Sequence, residues 1–220
     1  MDGINKYLKL GISKFLLSML AGLMIGVGGT VYLSTSNPIV GSLMFAIGLL
    51  IILIYKMNLF TGKIGYLPNN KFQDTPDLII IWFGNLIGVN TYCCGLYYFR
   101  PELTIKATEM CNAKLLQPIT ATLFLGFMCG LLMYLAVDIF NVNRESKDIG
   151  KYIAVFLCVS VFILCKFEHC VADMFYFGMM NGLSLFSFTA LKYIVIVTIG
   201  NSLGAILIPI TNKIIRSLDK

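Results

Sequence analysis

The 220-residue chain is 58% hydrophobic and only 13% charged, whereas a soluble domain is roughly 45–50% apolar and about 25% charged. This composition excludes a soluble globular protein and predicts an all-α protein, one transmembrane domain over residues 1–220, that crosses the lipid bilayer several times. The net charge of +6 does not indicate a nucleic-acid partner, because the basic residues cluster in alternate connections between apolar segments.

Six apolar segments are long enough to be membrane spans, approximately residues 14–36, 38–60, 78–99, 115–138, 150–182 and 187–212. Asn37-Pro38 predicts a tight turn after the first span, and the polar stretch 62–77 predicts a longer loop after the second. Lys and Arg precede the first span and follow the second, fourth and sixth. This pattern predicts a multi-pass protein of the plasma (inner) membrane with both termini in the cytoplasm. Further spans follow the first, so no cleavable signal peptide is expected.

Two pairs of glycine-containing segments repeat about half a chain apart. FGNLIG at 83–88 matches IGNSLG at 199–204, and GLMIG at 22–26 matches GFMCG at 126–130. We interpret these glycines as close-packing positions between helices. The matches predict a three-span unit, present at about 14–99 and again at 115–212, and an odd number of spans inverts the second copy. In such folds the transport site lies on helices broken at corresponding places, here spans two and five.

The predicted break in span two contains Asn58, Thr61 and Gly62. Thr61 offers a hydroxyl, and Gly62 would let the backbone leave the helix. Backbone N–H groups freed at such a break favour an anion. An ordinary helix end at the cytoplasmic surface is the alternative that the motif leaves open.

The predicted break in span five is KFEHCVADMF at 166–175, which contains the only histidine of the chain. Ionisable groups inside a membrane are expensive and usually functional. On a regular helix Lys166, His169 and Asp173 would share a face, and Glu168 would point away from them. One interpretation is a polar path in which Lys166 and His169 attract an anion. The other is a structural cluster in which Lys166 pairs with Asp173 and Glu168 contacts the backbone.

Four segments resemble, in order and spacing, the signature segments of the formate/nitrite transporter family. They are LFTG at 59–62, FGNLIG at 83–88, FEHCVADMF at 167–175 and IGNSLG at 199–204. The resemblance covers all six spans and implies a homopentamer in which each protomer has an aquaporin-like fold and its own pore. It implies a channel or transporter for small monovalent weak-acid anions, formate or nitrite first and hydrosulfide as the alternative. Neither enzymatic activity nor a cofactor or metal is expected.

The resemblance also assigns pore residues. His169 matches the family's central histidine, Thr61 the threonine that faces it, and Lys114 the lysine that attracts anions at the outer mouth. Lys166 is added to this pore set. Two apolar constrictions are expected at Phe45, Leu49, Phe60, Met133 and Phe162. An apolar ring penalises a bare anion far more than a neutral acid, so a proton supplied at His169 would let the anion cross.

Several residues depart from the family pattern. Lys166 stands where a small residue is usual, Asp173 replaces an asparagine, and Asn58 replaces a common acidic residue. Lys166 and Asp173 are therefore expected to form a compensating pair. Glu168, Asp173, Asn58 and Gly62 are expected to hold the backbone at the two breaks.

Two other classes of function compete with an anion pore. A neutral-solute pore would suit an aquaporin-like fold, but water and glycerol need no lysine or histidine. A membrane enzyme or metal protein would have to use Glu168, His169 and cysteines, and a single histidine is poor material for a metal site.

Overall fold

The computed structural model describes residues 2–69, 75–180 and 184–219, and these ranges contain helices and no β-strand. The α-helices are α1 (Asp2–Ser34), α2 (Pro38–Ile54), α3 (Phe60–Lys63), α4 (Thr75–Phe99), α5 (Leu103–Leu115), α6 (Ile119–Val142), α7 (Gly150–Leu164), α8 (Cys170–Met180) and α9 (Phe188–Leu218). Short 3₁₀ segments follow α3 at Ile64–Asn69 and precede α9 at Ser184–Phe186. Residues 70–74 of the loop predicted at 62–77, and residues 181–182 at the end of predicted span five, lie outside the described residues.

Four of the described helices are long and apolar enough to cross a membrane: α1 from Leu8, α4 from Pro76, α6 and α9. Helices α2, α7 and α8 are apolar but shorter, with 17, 15 and 11 residues. The segments predicted as spans two and five are each divided into two helices, because five residues separate α2 from α3 and five separate α7 from α8.

Both interruptions begin with the same backbone motif. Lys56 and Lys166, one residue beyond each helix cap, have positive φ angles of 55° and 54°. The N–H of the next residue returns to the carbonyl five residues earlier, from Met57 to Ile52 and from Phe167 to Phe162. This is the Schellman arrangement that ends helices in the left-handed conformation. The prediction that the backbone leaves the helix at Gly62 is wrong, because Gly62 lies inside α3 and packs against Val137.

One asparagine holds each interruption from a neighbouring helix. The amide oxygen of Asn85 on α4 accepts the Phe60 N–H at 2.9 Å, and its nitrogen donates to the carbonyls of Ser18 and Asn58. The second interruption has the same pattern. Asn201 on α9 accepts the Cys170 N–H at 2.9 Å and donates to the carbonyls of Gly126 and Glu168, both at 2.7 Å. The first turns of α3 and α8 are thereby fixed by side chains rather than by solvent.

The paired glycines lie where long helices cross. A Cβ atom at Gly88 of α4 would be 2.0 Å from the Met19 carbonyl of α1, and one at Gly204 of α9 would be 1.8 Å from the Phe127 carbonyl of α6. Neither distance leaves space for a methyl group, so these crossings depend on glycine. The backbone approach brings Asn85 and Asn201 within reach of the neighbouring carbonyls.

Helix α5 was not predicted from the sequence. It occupies the connection after α4, and Lys114 lies in its last turn rather than at the start of a span. Pro118 then caps α6. The ammonium of Lys106, also on α5, donates to the carbonyls of Tyr32 and Thr35 at 2.9 Å. Lys106 therefore caps the carboxyl end of α1, where a cation is favourable.

Candidate pore site

The two interruptions meet in one hydrogen bond. Thr61 Oγ1, on α3, lies 3.0 Å from Nε2 of His169, which immediately precedes α8. Both side chains are buried, with 0% and 2% of their surface exposed. Thr61 is held there because Asn85 fixes the preceding N–H, and His169 because Asn201 fixes the following one. The contact thus depends on both broken segments.

The hydrogen bonds of His169 define its tautomer. The Ala172 backbone N–H donates to Nδ1 at 3.1 Å, so this nitrogen carries the lone pair. A neutral ring then has its hydrogen on Nε2 and donates it to Thr61 Oγ1. An imidazolium would require a hydrogen on Nδ1, which the Ala172 N–H already occupies. In this geometry His169 is a neutral hydrogen-bond donor that faces the threonine.

Aromatic rings continue from His169. The Phe162 ring stacks on the imidazole with centroids 5.6 Å apart, and Phe45 meets Phe162 edge to face at 5.9 Å. Both phenylalanines are buried. The two phenylalanine rings form an apolar barrier beside the only imidazole of the chain.

A cavity lies on one side of this barrier; we call it the Lys114 cavity. It is lined by Tyr32, Met110, Ala113, Lys114, Gln117, Phe162, Ile163, Lys166, Phe167, Glu168, His169, Ala172, Asp173 and Tyr176. Lys114 is ion-paired with Glu168, and its ammonium lies 3.0 Å from Asp173 Oδ1. The predicted Lys166–Asp173 pair is therefore wrong. The turn places Lys166 at an exposed position, and Asp173 forms its ion pair with Lys114 instead.

A second cavity, which we call the Lys63 cavity, has a different charge. Its lining residues are Leu49, Ile52, Leu53, Lys56, Met57, Leu59, Gly62, Lys63, Val137, Asn141 and Arg144. Three of these are cationic and none is acidic. The Arg144 guanidinium donates to the Leu53 carbonyl and to Asn141 Oδ1, so it is fixed without a carboxylate. This cavity offers an anion positive charge without a competing acid on its wall.

Only some of the predicted constriction residues line one of the two cavities. Phe162 lines the Lys114 cavity and Leu49 lines the Lys63 cavity. Met133 is buried one turn before Val137. Phe60 lines neither cavity and instead borders an apolar groove between α4 and α9. Leu59, which sequence reasoning did not select, lines the Lys63 cavity.

Asn58 and Glu168 have matching backbone roles, since their carbonyls accept from Asn85 and Asn201. The Asn58 side chain also reaches the Lys14 carbonyl at 3.4 Å. Glu168 does not point away from the other ionisable groups, as a continuous helix would require, because the chain is not helical between residues 165 and 169. Within the described ranges, no group of three or more His, Cys, Asp and Glu residues is arranged to hold a metal ion.

Comparison with known proteins gives one family. The model of the formate/nitrite transporter family matches residues 2–213. The chain is 26% identical over 196 residues to the formate channel FocB of Escherichia coli (strain K12), covering 78% of this chain and 67% of FocB. It is 27% identical over 180 residues to the nitrite transporter NirC of Salmonella typhimurium, covering 74% and 66%. The matches thus span about two thirds of the length of these relatives.

Solved structures share the fold. A pentameric formate channel with formate bound superposes with a TM-score of 0.77 at 23% identity, over 94% of this chain and 98% of that one. An ion channel of the same family gives 0.74 at 23% identity, over 94% and 89%. At this identity the likeness concerns the arrangement of helices, not the ligand.

Proposed function

Because the chain belongs to the formate/nitrite transporter family, we propose that it conducts small monovalent weak-acid anions across a membrane through a pore of its own. The observation that carries this proposal is the buried Thr61–His169 hydrogen bond, which joins two broken segments beside the apolar rings of Phe45 and Phe162. Interrupted segments that meet inside the bilayer are typical of transport sites.

The proposed architecture is six spans in an inverted three-helix repeat with an aquaporin-like arrangement. The four long helices supply spans one, three, four and six, and the pairs α2–α3 and α7–α8 supply spans two and five. The matched turns at Lys56 and Lys166 and the matched amides of Asn85 and Asn201 support the repeat. The basic connections favour a cytoplasmic position for the Lys63 cavity and for both termini.

The proposed mechanism uses the cavities to collect anions and the rings to select them. Positive charge at Lys63 and Arg144 draws an anion into one cavity, and the Lys114 cavity, whose wall includes Lys166, serves the opposite mouth. The rings strongly oppose a bare anion. An anion that gains a proton near His169 becomes a neutral acid and crosses. His169, neutral in this geometry, donates a hydrogen bond from Nε2 to the crossing species in place of Thr61.

Formate or nitrite is the proposed substrate, since relatives named for each are similar to this chain at comparable identity. Hydrosulfide is the alternative, because it is also a small monovalent anion of a weak acid. A neutral-solute pore is a weaker candidate, because three cations line one cavity without an acid beside them.

The test is uptake by proteoliposomes that contain the purified protein. Vesicle swelling in formate, nitrite, hydrosulfide and glycerol is followed by light scattering, with protein-free vesicles as the control. We expect swelling with at least one weak-acid anion, faster at acidic external pH, and none with glycerol. Swelling with glycerol but with no anion would contradict the proposal and favour the neutral-solute pore.

We also propose a homopentamer, since a structural neighbour is a pentameric channel and many apolar side chains on α1, α4 and α9 are exposed in the isolated chain. Native mass spectrometry of the detergent-solubilised protein should show five copies. A monomer or tetramer would contradict this assembly.

A further inference from the structure

The Lys114 cavity contains more buried acid than base. The carboxylates of Glu168 and Asp173 contact the same ammonium, that of Lys114, and only 1% of either acidic side chain is exposed. If all three groups were ionised, the cluster would carry a net charge of −1 beside an apolar barrier. Two buried carboxylates that share one partner do not both ionise readily.

The two acids differ in how their oxygens are satisfied. Both oxygens of Glu168 have donors, because Lys114 contacts Oε2 and Gln117 Nε2 donates to Oε1 at 3.2 Å. Asp173 is satisfied on one side only. Its Oδ1 faces Lys114, and its buried Oδ2 has no hydrogen-bond partner. A charged oxygen left without a donor in a buried position is expensive, whereas a neutral hydroxyl is much less so.

The other groups around the cluster do not supply a second positive charge to balance it. The titratable groups that face it from α1, α5, α6, α8, α9 and the break are Tyr32, Cys111, Cys129, Cys170, Tyr176, Tyr193 and His169. His169 is held neutral by the Ala172 N–H. Lys166 lines the same cavity, but it is exposed and is not ion-paired with either acid in the described structure.

We propose that Glu168 and Asp173 hold one proton between them, that this proton rests on Oδ2 of Asp173, and that it forms a second proton-binding site in the cavity beside His169. With the proton bound, Lys114 balances Glu168 and the cluster is neutral. This site is distinct from His169 and consists of the two acids, the Lys114 ammonium and the unpartnered oxygen of Asp173.

The transport consequence of this site rests on the proposed function. An anion that enters the Lys114 cavity can take the Asp173 proton: the O–H bond on Oδ2 breaks, an O–H bond forms on the anion, and the cluster changes from neutral to −1. A hydronium ion that reaches the open side of the cavity from bulk solution then returns a proton to Asp173 and becomes water. Because the His169 geometry disfavours an imidazolium, the acid pair is the group on this cavity wall that is arranged to hold a transferable proton.

Infrared spectroscopy of the purified protein at neutral pH tests the site without any transport assay. Exposed carboxyl groups are ionised at this pH, so a carbonyl stretch of a protonated carboxylic acid reports a buried acid. We expect one such band per protomer in the unmodified protein. Asp173→Asn should remove it. Glu168→Gln should remove it too, because Lys114 would then neutralise Asp173 alone.

The matched control is Asp138→Asn on α6. Asp138 accepts a hydrogen bond from the Tyr66 hydroxyl at 3.1 Å and lines neither cavity, so its substitution should leave the band unchanged. Absence of the band from the unmodified protein at neutral pH would overturn the proposal without requiring any variant to fold. A band that survives Asp173→Asn or Glu168→Gln would also overturn it. Anion uptake that fails while the band behaves as expected would refute the proposed function and leave the proton site intact.

Discussion

Asn85 and Asn201 show how single side chains make a broken membrane helix tolerable. Every backbone group freed at an interruption needs a partner, because the hydrocarbon supplies none. Each asparagine side chain accepts one hydrogen bond from a backbone N–H and donates two to backbone carbonyls, and each is fully buried. The same three bonds position the residue next to Thr61 and the residue next to His169. Stability and the geometry of the proposed pore therefore depend on the same two amides.

Asn201→Ala should destabilise the protein by several kcal/mol, since a buried donor or acceptor left unsatisfied costs about 1–3 kcal/mol. Asn85→Ala should behave alike. Thermal unfolding in detergent measures the effect. Asn90→Ala is the control, because Asn90 is on the same helix as Asn85 and its Oδ1 lacks a donor. Equal losses for Asn90→Ala and Asn85→Ala would show that these bonds contribute little.

Phe162→Ala should raise anion flux and reduce selectivity against larger anions. Its ring lies between His169 and Phe45. Truncation to alanine would therefore open a wider passage through the apolar barrier. Uptake of formate is compared with uptake of a larger carboxylate such as lactate. Phe156→Ala, on the same helix, is the control because Phe156 lines neither cavity. If Phe162→Ala folds and conducts like the unmodified protein, the barrier lies elsewhere.

At the scale of the helices, the sequence predicts positions better than it predicts geometry. Repeated glycines and the polar segments near residues 58 and 168 were sufficient to place the two interruptions within a few residues. Helix α5 was missed because its sequence, LTIKATEMCNAKL, is too polar to be a span and lies in a connection. Phe60 was selected by resemblance, whereas Leu59 is the neighbour that lines the Lys63 cavity. Leu59 is extended before α3 begins, so the direction of its side chain does not follow from a helical period.

Gly204→Ala should destabilise the protein by about 1–3 kcal/mol, the usual effect of overpacking. The new methyl would overlap the Phe127 carbonyl, which would force α9 away from α6. Circular dichroism during heating measures the loss. Gly95→Ala is the matched control in another long helix, since nothing lies within 4 Å of its Cβ position. It should be neutral or stabilising by up to about 1 kcal/mol. Equal stability of the two variants would contradict the close crossing.

For the whole molecule, the two ends of the proposed path differ in charge. The Lys63 cavity has three cations and no acid on its wall. In the Lys114 cavity, by contrast, the Lys114 ammonium is already paired with two acids. The sequence identified Lys114 as an anion attractor by resemblance. It could not show the acids that contact Lys114, because they are 54 and 59 residues away along the chain. Attraction of anions is therefore expected mainly from the Lys63 cavity and from exposed Lys166.

Lys63→Ala should lower anion flux most at low ionic strength and low substrate concentration, where its field is least screened. Initial rates of formate uptake at two salt concentrations measure this. Lys192→Ala removes the same charge from an exposed position on α9 outside both cavities and should change the rate little. Rates that are equally insensitive to both substitutions at low salt would argue that Lys63 has no part in collecting anions.

The most direct test of the central claim is formate uptake by proteoliposomes over a range of external pH, with the unmodified protein, His169→Phe and His169→Asn. His169→Phe should abolish or greatly reduce uptake while the oligomer, checked by native mass spectrometry, stays intact. His169→Asn retains a hydrogen-bond donor, so we expect residual conductance that still increases with external acid, because the ring stays neutral in the proposed mechanism. If His169→Phe transports formate with the pH dependence of the unmodified protein, the histidine is structural and the proposed mechanism is wrong.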